Sequence, residues 1–313
     1  MKKQILFALF TLFIVSTSVA QMGMKKKMKQ AKLLKEKILL VPVEDSDFGQ
    51  RLKTAVQENW TFNKEIKFVT KEELKVFRKN KKERDAYAYL DYTSSPKIGM
   101  YPGNVIKVSF LGEASPIYYT AVSTEYARNI FGKNASKVVA TNKKKDFTKA
   151  DLLFAVKQLQ LNIDSFTKYK KMKRKEIMKA YKEQLKGVSV LKNKTLLIDA
   201  NTFTKKALKK FESMYKYEYE IVSKEVIDDA IINSYEDKAY IKGIAQIQPP
   251  MRKSKSILSD DGTLSMISYS VYDSATNEVI YVFVPSNGIS ISINRVKKKI
   301  TFKDLKQFIK LID

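Results

Sequence analysis

The sequence predicts an α/β to α+β fold made of two homologous domains, each a βαβαβ unit followed by antiparallel strands and a C-terminal helix. Three observations carry that expectation. Apolar segments recur in the same order in both halves, their spacing alternates between strand-like and helix-like, and similar helix-start signals recur at matching places.

Lys37-Ile38-Leu39-Leu40-Val41 recurs as Lys194-Thr195-Leu196-Leu197-Ile198, each a short apolar run suited to a buried strand. Phe48, Val56 and Trp60 fall opposite Phe203, Phe211 and Tyr215 at one constant offset and with helical spacing. Ile66 to Glu72 parallels Tyr219 to Glu225, Ala86-Tyr87 matches Ala239-Tyr240, and Thr148 to Leu152 matches Thr301 to Leu305. The offsets drift only from 157 to 153 residues.

Thr70-x-x-Glu73, Thr148-x-x-Asp151 and Thr301-x-x-Asp304 have the form of a capping box, in which a hydroxyl and an acid satisfy free N–H groups at a helix start. Ser223 is expected to cap as Thr70 does. Late strands are expected over residues 105–111, 117–122 and 138–140 in the first half, and over 264–272, 278–284 and 289–293 in the second. Ser274-Ala275-Thr276-Asn277 reads as a hairpin connection. The resulting layout is a signal over residues 1–20, a basic lead-in over 21–36, one α/β domain over 37–164, a basic helical linker over 165–190 and a second α/β domain over 191–313.

The first twenty residues have the three parts of a secretory signal: Lys2 and Lys3, an apolar stretch over 5–15, and the small residues Ser18-Val19-Ala20. Cleavage after Ala20 and a periplasmic or extracellular destination are expected. This stretch of eleven residues, apolar apart from Thr11, is too short to cross ~30 Å of hydrocarbon as a retained anchor. The chain has no cysteine, so it lacks disulfides, thiol catalysis and the acylated cysteine of a lipoprotein. A cysteine-free exported chain of this length points to a bacterium. Histidine is also absent, which removes the commonest general base and the commonest metal ligand.

The 59 Lys and Arg against 33 Asp and Glu give a net charge of +26. An exported protein of this charge meets anionic lipid, lipopolysaccharide phosphates and acidic proteins, and nucleic acid is not the expected partner. Lysine outnumbers arginine, which disfavours a dedicated bidentate phosphate reader. The basic stretches 24–37 and 166–186 read either as linker helices packed on the domains or as cationic helices lying on a membrane surface.

Three carboxylate pairs are candidates for hydrolytic acids: Asp45/Asp47, Asp228/Asp229 and Asp260/Asp261. Each has a structural reading, at a helix start, within a helix and in a hairpin turn respectively. None of the ten glycines forms a GxGxxG or P-loop, so no nucleotide site is expected. Tyr87 and Tyr89 alternate along a strand as in a stacking platform, although core packing is the commoner use. No catalytic, cofactor-binding or metal-binding residue is assigned.

The run Tyr219 to Asp228, followed by Lys238-Ala239-Tyr240-Ile241-Lys242-Gly243-Ile244-Ala245, resembles the TolB N-terminal domain and the related fold of the curli secretion protein CsgG. Ala239, Tyr240 and Gly243 resemble the third strand of those domains, and the first half has Leu90 in place of the glycine. The resemblance implies periplasmic protein–protein interaction without catalysis. The expected function is therefore a non-enzymatic exported bacterial protein binding another envelope or secreted component. The alternatives are a basic binder of anionic lipid or lipopolysaccharide and a carboxylate-dependent hydrolase.

Overall fold

The computed structural model describes residues 20–94, 104–113, 117–121, 147–168, 187–248, 264–283 and 299–312. Helix α1 (Ala20–Lys35) leads into β1 (Ile38–Pro42), α2 (Asp47–Asn59), β2 (Ile66–Val69), α3 (Lys71–Lys79) and a 3-10 turn (Arg84–Ala86). Strands β3 (Tyr87–Ser94), β4 (Asn104–Phe110) and β5 (Tyr118–Ala121) follow, then helix α4 (Lys149–Lys168). The second half runs through a 3-10 segment (Val188–Asn193), β6 (Thr195–Ile198), a 3-10 turn (Ala200–Thr202), α5 (Lys205–Met214), β7 (Tyr219–Ile221) and α6 (Lys224–Asn233). It ends with β8 (Lys238–Gln248), β9 (Leu264–Asp273), β10 (Val279–Phe283) and α7 (Phe302–Ile312).

The chain is a mixed α/β protein with two five-stranded sheets, ordered β2-β1-β3-β4-β5 and β7-β6-β8-β9-β10. In each sheet the first three strands of that order are parallel and the rest antiparallel. A strand flanked by parallel neighbours is covered on both faces, so it must be apolar on both. That is why Leu39, Leu40 and Val41 of β1, and Leu196, Leu197 and Ile198 of β6, are all fully buried.

Register corrects one expected match. Ala88 and Tyr89 pair with Leu39 and Leu40, as Ala239 and Tyr240 pair with Leu196 and Leu197. Ala88-Tyr89, rather than Ala86-Tyr87, therefore occupies the place of Ala239-Tyr240, and Tyr92 rather than Leu90 lies level with Gly243. Strand side chains repeat every two residues, so a two-residue displacement leaves the buried face unchanged and the sequence pattern does not report it.

The Thr70 capping box forms as expected: Glu73 N–H donates to Thr70 Oγ1 at 3.1 Å, and Thr70 N–H donates to Glu73 Oε2 at 2.6 Å. Ser223 stands at the equivalent place, but its side chain makes no capping bond. The hairpin at Ser274 to Asn277 is present, with Asp273 accepting from the Ala275 and Thr276 N–H groups and Asn277 in the left-handed region at φ 56°. The expected strands at 138–140 and 289–293 lie outside the described residues.

Helix α4 decides how the sheets sit together. One face of the first sheet, with Leu39, Val41, Ala88, Leu90, Ile106 and Val108, is covered by α2 and α4. The opposite face forms a small separate cluster under α3, made of Leu40, Val69, Leu74, Tyr89 and Leu111. In the second sheet, Leu196, Ile198, Ala239, Ile241 and Val271 pack under α5 and α7. Leu197, Tyr240 and Tyr272 on its other face join α6 and α4 in the same core as the first sheet. Buried from both sides, α4 is apolar nearly all round: Ala150, Leu152, Leu153, Phe154, Ala155, Val156, Leu159 and Ile163 are each at most 3% exposed. Helix α7 is amphipathic by contrast, burying Leu305, Phe308, Ile309 and Ile312 while Lys303, Lys306, Gln307 and Lys310 face water.

Candidate functional site

The densest group of buried charges lies where α4 meets α6 and β8. The capping box at the start of α4 places Asp151, whose N–H donates to Thr148 Oγ1 at 3.1 Å while its Oδ2 accepts from Thr148 N–H at 3.2 Å. From β8, Lys242 donates to Asp151 Oδ1 at 3.2 Å, with the two side chains 6% and 1% exposed. From α6, the Lys224 amine stands 3.8 Å from Asp151 Oδ2 and 3.5 Å from Asp228 Oδ2. Thr148 Oγ1 also donates to Asp228 Oδ2 at 3.1 Å. The Lys242 amine lies 5.3 Å from the Phe154 ring centroid, where the ring quadrupole favours a cation.

Two ammonium and two carboxylate groups thus neutralise each other between the sheets. The balance is imperfect at Asp228, whose Oδ1 is buried without a hydrogen-bond partner. Burial raises the Asp228 carboxyl above the ordinary 3.8 and the Asp151 charge adds to this, while Lys242, Lys224 and the Thr148 hydrogen bond pull it down. Just beyond the cluster, the Phe154 ring meets Tyr272 edge-on at 5.0 Å, and Tyr272 stacks on Tyr240 at 5.6 Å. The Tyr240 hydroxyl donates to Asn277 Oδ1, and burial raises both phenols well above their usual range. With Asp151 and Lys242 sealed from water, the cluster acts as an electrostatic key that fixes how α6 and β8 dock on α4.

The acids weighed from the sequence do not converge. Asp45 and Asp47 are exposed, Asp47 pairs with Arg51 at 2.9 Å one turn on, and Ser46 caps α2 by accepting from Gly49 N–H at 3.1 Å. Asp228 points into the cluster, whereas Asp229 is exposed and accepts from Asn233 at 2.7 Å and Tyr235 at 2.9 Å. Asp260 and Asp261 lie outside the described residues. Tyr87 and Tyr89 share a face of β3 but are covered: Phe77 lies 4.9 Å from the Tyr87 ring and the Arg78 guanidinium 4.5 Å from that of Tyr89. Among the described residues no three metal-ligating side chains come together. Sequence reasoning singled out Asp151 as a cap but not its partner Lys242, because 91 residues separate them and the pairing depends on how the sheets dock.

A second feature is an open groove of about 600 Å³ at the C-terminal end of α1, lined by Lys32, Lys35, Lys37 and Lys64 with Glu36 and Glu65. Helix α1 buries Met28, Ala31 and Leu34 and exposes Lys29, Lys32 and Lys35. The Lys27 carbonyl accepts from the Tyr118 hydroxyl at 2.7 Å, and its amine lies 5.8 Å from the Tyr118 ring centroid, where burial lowers its pKa. No described helix is long and apolar enough to cross a membrane. No family model, curated protein or solved structure matches the chain.

Proposed function

We propose that this chain is a non-enzymatic, exported bacterial protein whose two homologous α/β domains bind another component of the cell envelope. The observation that carries the reading is the matched strand order of the two sheets around the shared helix α4. Matched positions include Leu39 and Leu196, Ala88 and Ala239, and the capping threonines Thr148 and Thr301. The conspicuous charges also serve this scaffold: Asp47, Asp151, Asp228 and Asp229 each hold a helix end or a helix contact. The signal-like first twenty residues supply the export half of the reading. Affinity capture of the processed protein from envelope extracts, followed by mass spectrometry, tests it. One envelope component enriched in stoichiometric amount is expected, and enrichment of none over control resin removes the reading.

A second reading, binding to anionic lipid or lipopolysaccharide, is supported by the exposed lysine face of α1. Met28, Ala31 and Leu34 of that helix are buried in the core, so the contact would be chiefly electrostatic and on the surface. Vesicle co-sedimentation at rising salt separates the two readings. Screening weakens such a contact but leaves it visible at low ionic strength, so absence of binding there removes it. The hydrolase alternative draws no support from Asp45/Asp47, which are both exposed with Asp47 held by Arg51, or from Asp228/Asp229, whose members face different surroundings.

A further inference from the structure

The outer face of α6 stands out against the charge of the rest of the chain. Residues 223–238 hold Glu225, Asp228, Asp229, Glu236 and Asp237 against Lys224 and Lys238, the latter with its amine 5.4 Å from the Tyr235 ring centroid, in a protein whose net charge is +26. Asp228 turns inward, but the other four acids are exposed, and Val226, Ile232 and Tyr235 are 39%, 36% and 37% exposed among them. Three apolar side chains within an acidic rim have the composition of a contact surface rather than of a solvated helix.

Helix α3 holds the corresponding place on the first sheet and carries the opposite charge. Residues 71–84 have seven basic side chains against three acidic ones. Lys75, Val76 and Lys79 lie on one outward face by helical spacing, and Val76 is 68% exposed, the most open large apolar side chain among the described residues. Lys81 and Lys82 extend the basic rim beyond the helix end. The chain therefore bears two complementary faces, one acidic with an apolar centre and one basic with an apolar centre. An anionic membrane or polyphosphate would be repelled by the first.

We propose that the partner of the α6 face is a second copy of this chain, whose α3 face seats against it head to tail. Such a contact joins two different surfaces, so each copy keeps one free α3 face and one free α6 face, and association continues until a ring closes or a filament grows. The proposal goes beyond the envelope-binding reading and stands apart from it, since either can fail while the other holds.

Salt alone is a poor test. The net positive charge makes whole copies repel each other while the local faces attract, and screening weakens both together. Charge exchange separates them. Sedimentation velocity of the purified protein, across a concentration series, is expected to show a mass that rises with concentration. Asp229→Lys and Lys79→Glu should each weaken association roughly tenfold or more by setting like charges together. The double variant, or an equimolar mixture of the two single variants, should restore it. Ile232→Ser, which changes no charge, should also weaken association, and unchanged melting curves show that each variant is folded. A wild-type protein that sediments as a monomer throughout, or a double variant as weak as the singles, overturns the proposal. A monomer that captures a different basic protein through Asp229 overturns it too, and gives the face to that partner.

Discussion

Replacing Asp151 by asparagine should destabilise the protein far more than a single charge change at the surface would. The substitution keeps the shape of the side chain and its ability to accept from Thr148 N–H, so it isolates the charge. Lys242, 6% exposed, would be left with the Phe154 ring and the more distant Asp228 as its compensation. Breaking a buried ion pair from one side costs about 3–5 kcal/mol, because the remaining charge is neither hydrated nor paired. Loss of an acid from the first turn of α4 adds about 0.3–1 kcal/mol through the helix dipole. Lys224 contributes little, since its side chain is 26% exposed and can turn to water. The melting temperature should therefore fall by on the order of 10 °C at pH 7. The companion variant Asp151→Leu with Lys242→Met removes both charges, and it should recover most of the loss. A melting curve for Asp151→Asn within about 1 kcal/mol of wild type would refute the reasoning, because a charge that costs so little to orphan is not buried as described.

Other perturbations separate local from tertiary contributions. Because the Asp228 carboxyl is raised in the fold, the folded state holds its proton to higher pH than the unfolded one, and its contribution to stability falls as pH rises from about 3.8 through the folded value. Asp228→Asn should remove that slope in urea titrations and be no less stable than wild type at pH 7; a clear loss there would contradict the unbalanced carboxylate. Thr70→Ala should cost about 1 kcal/mol through the lost capping box, while Ser223→Ala should stay within about half of that, since no capping bond is present to lose. Equal urea midpoints for the two variants would show that the difference between the helix starts carries no energy. A methyl group at Gly49 would lie 2.1 Å from the Glu44 carbonyl oxygen, so Gly49→Ala must displace the turn before α2 and should cost roughly 1–3 kcal/mol; a variant as stable as wild type would mean that the turn yields freely.

Much of the fold was legible because its signals are local. The runs at Leu39 and Leu196 read as buried strands, and the strands are there. Thr70, Thr148 and Thr301 marked helix starts, and each hydroxyl or backbone N–H finds its acid. Ser223 failed as a cap because a hydroxyl at the right place is not yet a bond: it makes no capping bond at that helix start and meets the Glu225 carboxylate instead. The candidate acids were legible as residues but not as neighbours: Asp228 and Asp229 adjoin in sequence yet face a buried cluster and open water.

By itself the sequence determined many of the described strands and helix starts, since apolar period and capping chemistry act over a few residues. It also determined the charge contrast between the α3 and α6 segments, which is plain composition. Only the tertiary structure decided the pairing of Asp151 with Lys242 and the two-residue register of β3. It alone distinguished α4, buried on both sides, from α7, which keeps a lysine face in water. The physical reason is the same in each case: register, burial on a second side and charge pairing are set by which surfaces meet, and the local pattern is equally satisfied by more than one meeting.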